Sequence, residues 1–406
     1  MSAALTTRFN TPLYIYDLTR VRTAYSALTA ILPQPSRVYY SLKANPHPDV
    51  VSCLIGCGCL GEISSPAELQ IALNAGANVT DCLYTGPGKT DEELVFALER
   101  GVNLFSVESL AEMARIAAAA EQTSARPACL LRISPPASAH GGLRMSGGPS
   151  QFGIDPVHLN FLGDRTPIDI VGLHFFSASN TRRQEDLVGM LQAAISTATQ
   201  IQRTFRLNLE RLDLGGGFAA PYARLDGSTE YTSEFSDHVR AMLDSAFSEW
   251  RSGYPQIFFE AGRFLVAGAG ELLTRVVDVK TSRGKKYAIL DAGINYLGGM
   301  SGLGRIMPND IEPELISRPT CSHQDEVDLV GNLCSPADVL GRSIKLDLRA
   351  GDVIKVPNVG AYGLTASLIG FLSRPIPTEV IIDGDKIVSA TALELVRSPR
   401  TPLGAE

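Results

Sequence analysis

From residue 38 onward the chain repeats one pattern: a short strand-like run, a turn, then a helix-like stretch. Residues 38–42 (VYYSL) read as a buried strand, followed by a proline-punctuated loop and a helix over 48–56. Residues 63–65 close the next strand, and Ser65-Pro66-Ala67-Glu68 carries the cap, proline and early acid with which helices begin. Further strands are predicted at 78–84, 104–107, 128–133, 168–176, 212–214 and 256–260. Helices are predicted to start at Lys89-Thr90-Asp91-Glu92-Glu93-Leu94, at Ser109 and after Asn180. Seven or eight such units in roughly 230 residues predict an α/β chain folded as a (β/α)8 barrel. A doubly wound open sheet is the alternative, because a repeat by itself does not close a barrel.

Beyond residue 265 helix-like windows become scarce. Runs at 272–279, 286–290, 326–330, 353–357 and 378–382 read as strands separated by Gly, Asp and Pro turns. Residues 13–17 (LYIYD) are also strand-like. The expected organisation is an N-terminal strand (1–29) joining a mostly β C-terminal domain (266–406), with a TIM barrel over 30–265 between them.

Composition narrows the function classes. The 406 residues are 45% hydrophobic, inside the globular range and outside that of disordered or collagen-like chains. A net charge of −7, from 36 basic and 43 acidic residues, argues against a nucleic-acid partner or a polybasic membrane surface. Seven cysteines include the run CLIGCGC (53–59), but no second Cys pair or nearby His completes a zinc site. They read as reduced, mostly buried thiols. The first residues lack a signal-peptide core and no 18-residue apolar stretch appears, so a cytoplasmic protein is expected.

Reactive side chains fall at the carboxyl ends of the predicted strands, which in a barrel form the active face. Lys43 follows one strand directly, where a desolvated amine can react with an aldehyde. Taken alone, the plainer reading, a surface lysine at a strand end, outweighs this. Gly215-Gly216-Gly217 ends another strand and lets backbone N–H groups cradle an anion, or forms a structural turn. Glu260, in Glu260-Ala261-Gly262-Arg263, presents either an acid to a pyridine nitrogen or half of a loop ion pair. His174 and Phe176 share one side of their strand. Cys334 sits in the β region with no pattern that settles its reactivity, and Gly360-Ala361-Tyr362-Gly363 is a turn exposing a tyrosine hydroxyl.

In order along the chain, YYSLKAN (39–45), GEISSPAEL (61–69), GPGKTDEEL (86–94), LRISP (131–135), QFGI (151–154) and GLHFFSASN (172–180) are followed by a second group. This comprises LDLGGGF (212–218), FEAGRFLV (259–266), LDAGINY (290–296), NLCSPADVL (332–340) and GAYG (360–363). Together they resemble the fold-type III, alanine-racemase-like pyridoxal-phosphate decarboxylases, the group of the diaminopimelate, ornithine and arginine enzymes. The resemblance implies pyridoxal 5'-phosphate as cofactor and α-decarboxylation through aldimine and quinonoid intermediates, with no metal. It makes Lys43 the aldimine lysine and Glu260 the partner of the pyridine nitrogen, with His174 and Phe176 beside the cofactor. Ser179, Gly215, Gly216, Gly217, Gly262, Arg263 and Tyr362 become phosphate-side residues. Cys334 becomes the residue that returns a proton from the other subunit of a homodimer with shared sites, and Asp338 a substrate-side carboxylate.

Two departures from the family pattern bear on substrate. Phe176 stands where the family has a ring-stacking histidine, and Ser335-Pro336-Ala337 replaces the Glu-Ser-Gly whose acid recognises the distal centre of diaminopimelate. The arginine-rich substrate segment is altered to the run ending in Arg305. GPGK (86–89) and LRMSGGPSQFG (143–153) resemble instead a specialised subgroup. Its members decarboxylate a citryl-diaminopropionate intermediate in siderophore synthesis, or a glutamyl group on an acyl carrier protein in butirosin synthesis. Arg144 and Arg305 are then candidates for binding an acidic group, or else ordinary solvent-facing arginines. The rival expectations are diaminopimelate decarboxylase, a racemase (disfavoured by Cys334) and a pyridoxal-phosphate homeostasis protein, which is a lone barrel.

Overall fold

A computed structural model describes residues 2–134, 143–144, 150–163, 168–225, 231–298, 311–319 and 325–399. The chain divides into two compact units: 18–222 with 226–269, and 1–17 with 223–225 and 270–406.

The first unit is a closed barrel of eight parallel strands, in the order β2 (Arg37–Ser41), β3 (Leu60–Ile63), β4 (Leu83–Tyr84), β5 (Leu104–Val107), β6 (Ala128–Ile133), β7 (Asp169–Phe175), β8 (Arg211–Asp213) and β9 (Gln256–Ala261), with β9 closing onto β2. The strands are nearly continuous apolar runs because helices cover one side and barrel filling the other. Tyr39, Leu60, Leu83, Leu104, Leu130 and Phe258, one from each of six strands, form a buried layer inside the barrel, with Tyr39 and Phe258 stacked at 5.2 Å. That layer plugs the interior and leaves the carboxyl ends of the strands as the open face.

Local chemistry fixes the helix starts. Ser65 accepts from the Glu68 amide, Ser109 from that of Glu112, and Thr90 with Glu93 forms a reciprocal capping box. The helix Gln184–Phe205 buries Leu187, Met190, Leu191, Ala194, Ile195, Ala198 and Ile201, the three-and-four spacing of one helical stripe.

The second unit is a nine-stranded sheet. β1 (Leu13–Asp17) lies antiparallel to β10 (Gly270–Ser282) and parallel to β15 (Thr378–Asp383). β11 (Lys285–Leu290), β12 (Glu326–Val330) and β13 (Val339–Lys345) extend it beyond β10. β14 (Val353–Val356) pairs with β10 and with the short strand Glu314–Leu315, and β16 (Lys386–Ala392) pairs with β15. Leu5, Leu13, Ile15, Leu273, Val353, Val380 and Ile382 form its core.

The sequence reading put the first boundary at residue 29, whereas the units part after Asp17. The helix Leu18–Ile31 packs on barrel helices, buries Leu18, Val21 and Leu28, and belongs to the barrel. Among the described residues no helix is long and apolar enough to cross a membrane.

Candidate active site

The end of β2 turns directly into a short 3-10 turn, Leu42–Ala44. Leu42 and Ala44 point inward and are buried, which leaves Lys43 on the open side with 43% of its side chain exposed. Its Nζ lies 2.8 Å from Oε1 of Glu62, at the end of β3, and 5.8 Å from the centre of the Phe176 ring. Glu62 also accepts from the hydroxyls of Thr85 (2.8 Å) and Ser41. Burial pushes its carboxyl up, but the Lys43 ammonium and these donors outweigh that and hold it down to about 2. Glu62 is therefore a permanent anion that holds the Lys43 amine at the barrel mouth.

Opposite, β7 and β9 bring His174 and Glu260 together. His174 Nε2 lies 2.9 Å from Glu260 Oε1, both side chains 2% exposed, and His174 Nδ1 lies 2.7 Å from Ser106 Oγ. The Nε2···Oε1 pair is close but not aligned as a full hydrogen bond. Asp213, at the end of β8, completes a buried trio whose atoms lie within 4.8 Å of one another. Burial alone would lower His174, yet the Glu260 carboxylate raises it above the ordinary imidazole range. Burial and Glu260 push Asp213 up to about 8.

The three glycines follow Asp213. Its Oδ1 accepts from the Gly215 amide at 2.8 Å, and the Gly215 carbonyl accepts from the Glu260 amide at 2.8 Å. A Cβ at Gly215 would lie 2.0 Å from the Phe175 carbonyl oxygen, and one at Gly216 2.2 Å from that of Glu260. Only glycine permits this approach, and at Gly215 the backbone is also left-handed (φ 71°). Among the described residues the amides of Gly216 and Gly217 donate to no acceptor, so two N–H groups stand ready for an anion. Gly262 packs against Ser41 and Ala44, beside Lys43, and Arg263 lies over the Tyr222 ring at 5.8 Å.

Phe176, half-buried just beyond β7, has the Arg132 guanidinium 5.9 Å from its ring centre. Arg132 pairs with Glu108 at 2.9 Å and lies over Phe152 at 4.9 Å, while Glu108 also accepts from the Gly153 amide. Ser179 is fixed by a short ladder in which it pairs with Leu143. Arg144 lies on that ladder, but its side chain and all of Arg305 fall outside the described residues.

In the β unit, Cys334 is exposed. Asp338 is 3% exposed, packed against Gly293 and Gly331, and accepts from the amides of Ile294 (2.9 Å) and Leu333 (2.8 Å). Its two oxygens tie the Cys334 loop to the segment that follows β11. Tyr362 is half-buried and left-handed (φ 53°). Sequence reasoning missed Glu62, Asp213, Ser106 and Arg132. An acid inside a fully buried strand, as in GEI (61–63), was the available signal for Glu62.

The model of the pyridoxal-dependent decarboxylase pyridoxal-binding domain matches residues 18–267, nearly the whole span of the barrel unit. The chain belongs to the pyridoxal-dependent decarboxylase family. This decarboxylase is 30% identical to an L-glutamyl-[BtrI acyl-carrier protein] decarboxylase of Niallia circulans, over 93% of the chain and 90% of the relative. It is 31% identical to a 2-[(L-alanin-3-ylcarbamoyl)methyl]-2-hydroxybutanedioate decarboxylase of Staphylococcus aureus, over 92% and 94%. The structure of diaminopimelate decarboxylase from Helicobacter pylori complexed with L-lysine superposes with a TM-score of 0.81 at 26% identity, covering 95% of both chains.

The cofactor is pyridoxal 5'-phosphate, and the residues present fit it. The decarboxylase offers a reachable amine at Lys43, two unengaged amides at Gly216 and Gly217, and at Glu260 an Oε2 with no protein partner.

Proposed function

We propose that this decarboxylase removes the α-carboxylate of a large amino-acid conjugate in specialised metabolism, siderophore or antibiotic biosynthesis, in the cytoplasm. One observation carries the choice of substrate. In the loop Cys334-Ser335-Pro336-Ala337-Asp338 the sole carboxylate is Asp338, which is buried with both oxygens taken by backbone amides. The loop thus offers no acid to a distal ammonium group of the kind diaminopimelate carries, and a neutral or acidic tail suits it better. The names of the Niallia and Staphylococcus relatives support the same reading, since each describes an acidic or carrier-attached substrate.

Bound pyridoxal phosphate supplies an electron sink for the pair left on the α-carbon when carbon dioxide departs. The rest falls to the chain. Lys43 gives the amine through which the cofactor aldehyde is held, and Glu62 keeps that amine in place between turnovers. Gly215, Gly216, Gly217, Gly262, Arg263, Ser179 and Tyr362 hold the phosphate side. Glu260 holds a proton on the ring nitrogen, and Phe176 packs the ring face without the polar edge of a histidine. Cys334 Sγ, from the partner subunit of a homodimer, returns a proton to the α-carbon. Arg144 and Arg305 are the candidates for binding the acidic tail, and a carrier protein is a candidate partner.

Carbon dioxide release from the cofactor-loaded protein tests this, with meso-diaminopimelate, ornithine, lysine, arginine, citryl-diaminopropionate and glutamyl-carrier protein as substrates and Lys43→Ala as the blank. Release from the citryl or carrier-bound substrate is the expected result. Fast release from diaminopimelate alone would return the protein to lysine synthesis, the second reading, which the Helicobacter structure favours.

A further inference from the structure

The trio at the ends of β7, β8 and β9 brings two acids and one imidazole together almost wholly buried. His174, Asp213 and Glu260 are 1%, 0% and 2% exposed. Two ionised carboxylates cannot share such a space without a compensating cation. Arg132 on the neighbouring β6, Glu62 on β3 and the Tyr39 hydroxyl, itself beside Arg211 and Arg37, also act on this pocket, but Arg132 is engaged with Glu108 and Arg211 and Arg37 act on Tyr39. Among the described residues His174 is the basic side chain inside the trio itself.

Its geometry agrees. A bare ring nitrogen 2.9 Å from a carboxylate oxygen would set lone pair against lone pair, so Nε2 carries hydrogen whenever Glu260 is ionised. On the far side Nδ1 has one partner, the fully buried Ser106 hydroxyl at 2.7 Å, which can accept its hydrogen. Glu260 Oε2 is left without a protein partner.

We infer that His174 is a positioning residue that stands as an imidazolium between Ser106 and Glu260 and sets its charge against the Glu260 carboxylate. The inference rests on reading Glu260 as the partner of the cofactor's ring nitrogen. An imidazolium 2.9 Å from Glu260 Oε1 compensates the carboxylate that faces that nitrogen, and an acid carrying its own proton could not hold one there. His174 so acts on the cofactor's ring through Glu260.

Ring-nitrogen NMR of 15N-histidine-labelled full-length protein, with and without pyridoxal phosphate, tests the inference. The chain has six histidines, and His174→Gln assigns the signal. The expected result is a doubly protonated His174 whose midpoint lies above those of the exposed His158 and His238, and falls below them in Glu260→Gln. A His174 that titrates with the exposed histidines, or ignores Glu260→Gln, overturns the inference. So does a stoichiometric divalent metal on the purified protein, because a bound ion would take the place of the proton. Fluorescence titration with pyridoxal phosphate supplies the second readout. Ser106→Ala and His174→Gln are each expected to weaken binding by about 10- to 100-fold, the usual effect of removing an outer hydrogen-bond partner. Unchanged binding in both overturns the inference. If Glu260→Gln binds the cofactor as wild type does while the NMR result holds, the clamp stands and the role of Glu260 toward the cofactor falls.

Discussion

Gly216→Ala adds one methyl group where two strand ends nearly touch. The new Cβ would sit 2.2 Å from the Glu260 carbonyl oxygen and 3.1 Å from its carbon. Side-chain Cβ atoms essentially never approach closer than 3.0 Å, so the glycine run and the end of β9 must part by about 0.8 Å. The obstacle is backbone, anchored by the Glu260 amide on the Gly215 carbonyl at 2.8 Å, and no rotamer change relieves it. Overpacking of this kind costs about 1–3 kcal/mol. The functional loss should exceed the stability loss, because one displacement moves both the unengaged Gly216 and Gly217 amides and the Glu260 carboxylate. A misplacement near 1 Å in a site of this sort costs on the order of 100-fold in rate. The assay pairs urea unfolding of the apoprotein with fluorescence titration by pyridoxal phosphate, with Gly88→Ala as control, since a Cβ there meets nothing within 4 Å. A Gly216→Ala protein that matches Gly88→Ala in both unfolding midpoint and cofactor affinity would refute the reasoning.

Two further outcomes concern stability. Lys89 is 3% exposed and donates to Glu112 (2.5 Å) and to the carbonyls of Gly86 (2.7 Å) and Ser106 (2.8 Å), so Lys89→Met leaves a buried carboxylate unpaired and should cost about 3–5 kcal/mol in urea unfolding. Adding Glu112→Gln to that variant should recover part of the loss, and no recovery would mean that the damage is steric. Asp213, pushed up to about 8, retains in the folded protein a proton that the unfolded chain releases near pH ~4. Stability therefore falls as pH rises between those values. Asp213→Asn should flatten that decline between pH 5.5 and 8, as read by unfolding free energies at the two pH values, and an unchanged slope would count against a protonated Asp213.

The barrel was legible because each of its strands is a local run of apolar residues, and the helix caps at Ser65, Thr90 and Ser109 are chemical signals within four residues. Strands β13 and β16 escaped because exposed and polar positions, such as Arg342, Ser343 and Lys386, interrupt their apolar pattern. The helix Leu18–Ile31 was assigned to the wrong unit because nothing in an amphipathic stretch says which surface will cover it. In the site, Lys43, the glycine run and Glu260 were visible as strand-end residues within quoted motifs. The partners that give them their properties were not. Glu62 meets Lys43 across 19 positions and His174 meets Ser106 across 68, and only the pairing and curling of the strands create those pairs. Asp338 was legible as a carboxylate, but its pairing with the amides of Ile294 and Leu333 depends on a loop path that residue types alone do not dictate.

The place of β1 in its sheet has a consequence for biosynthesis. Leu13 is made before every barrel strand, yet its two neighbours in the sheet are Leu273 and Thr378. At about 5–20 residues per second, the wait for the second partner is on the order of tens of seconds. Throughout that interval the strand LYIYD, buried at four of its five positions in the finished protein, has both hydrogen-bonding edges open. Every barrel strand emerges before either partner of β1 does. The nascent chain must therefore keep β1 unpaired while the barrel is made, and a chaperone that binds short apolar segments would find its site in LYIYD.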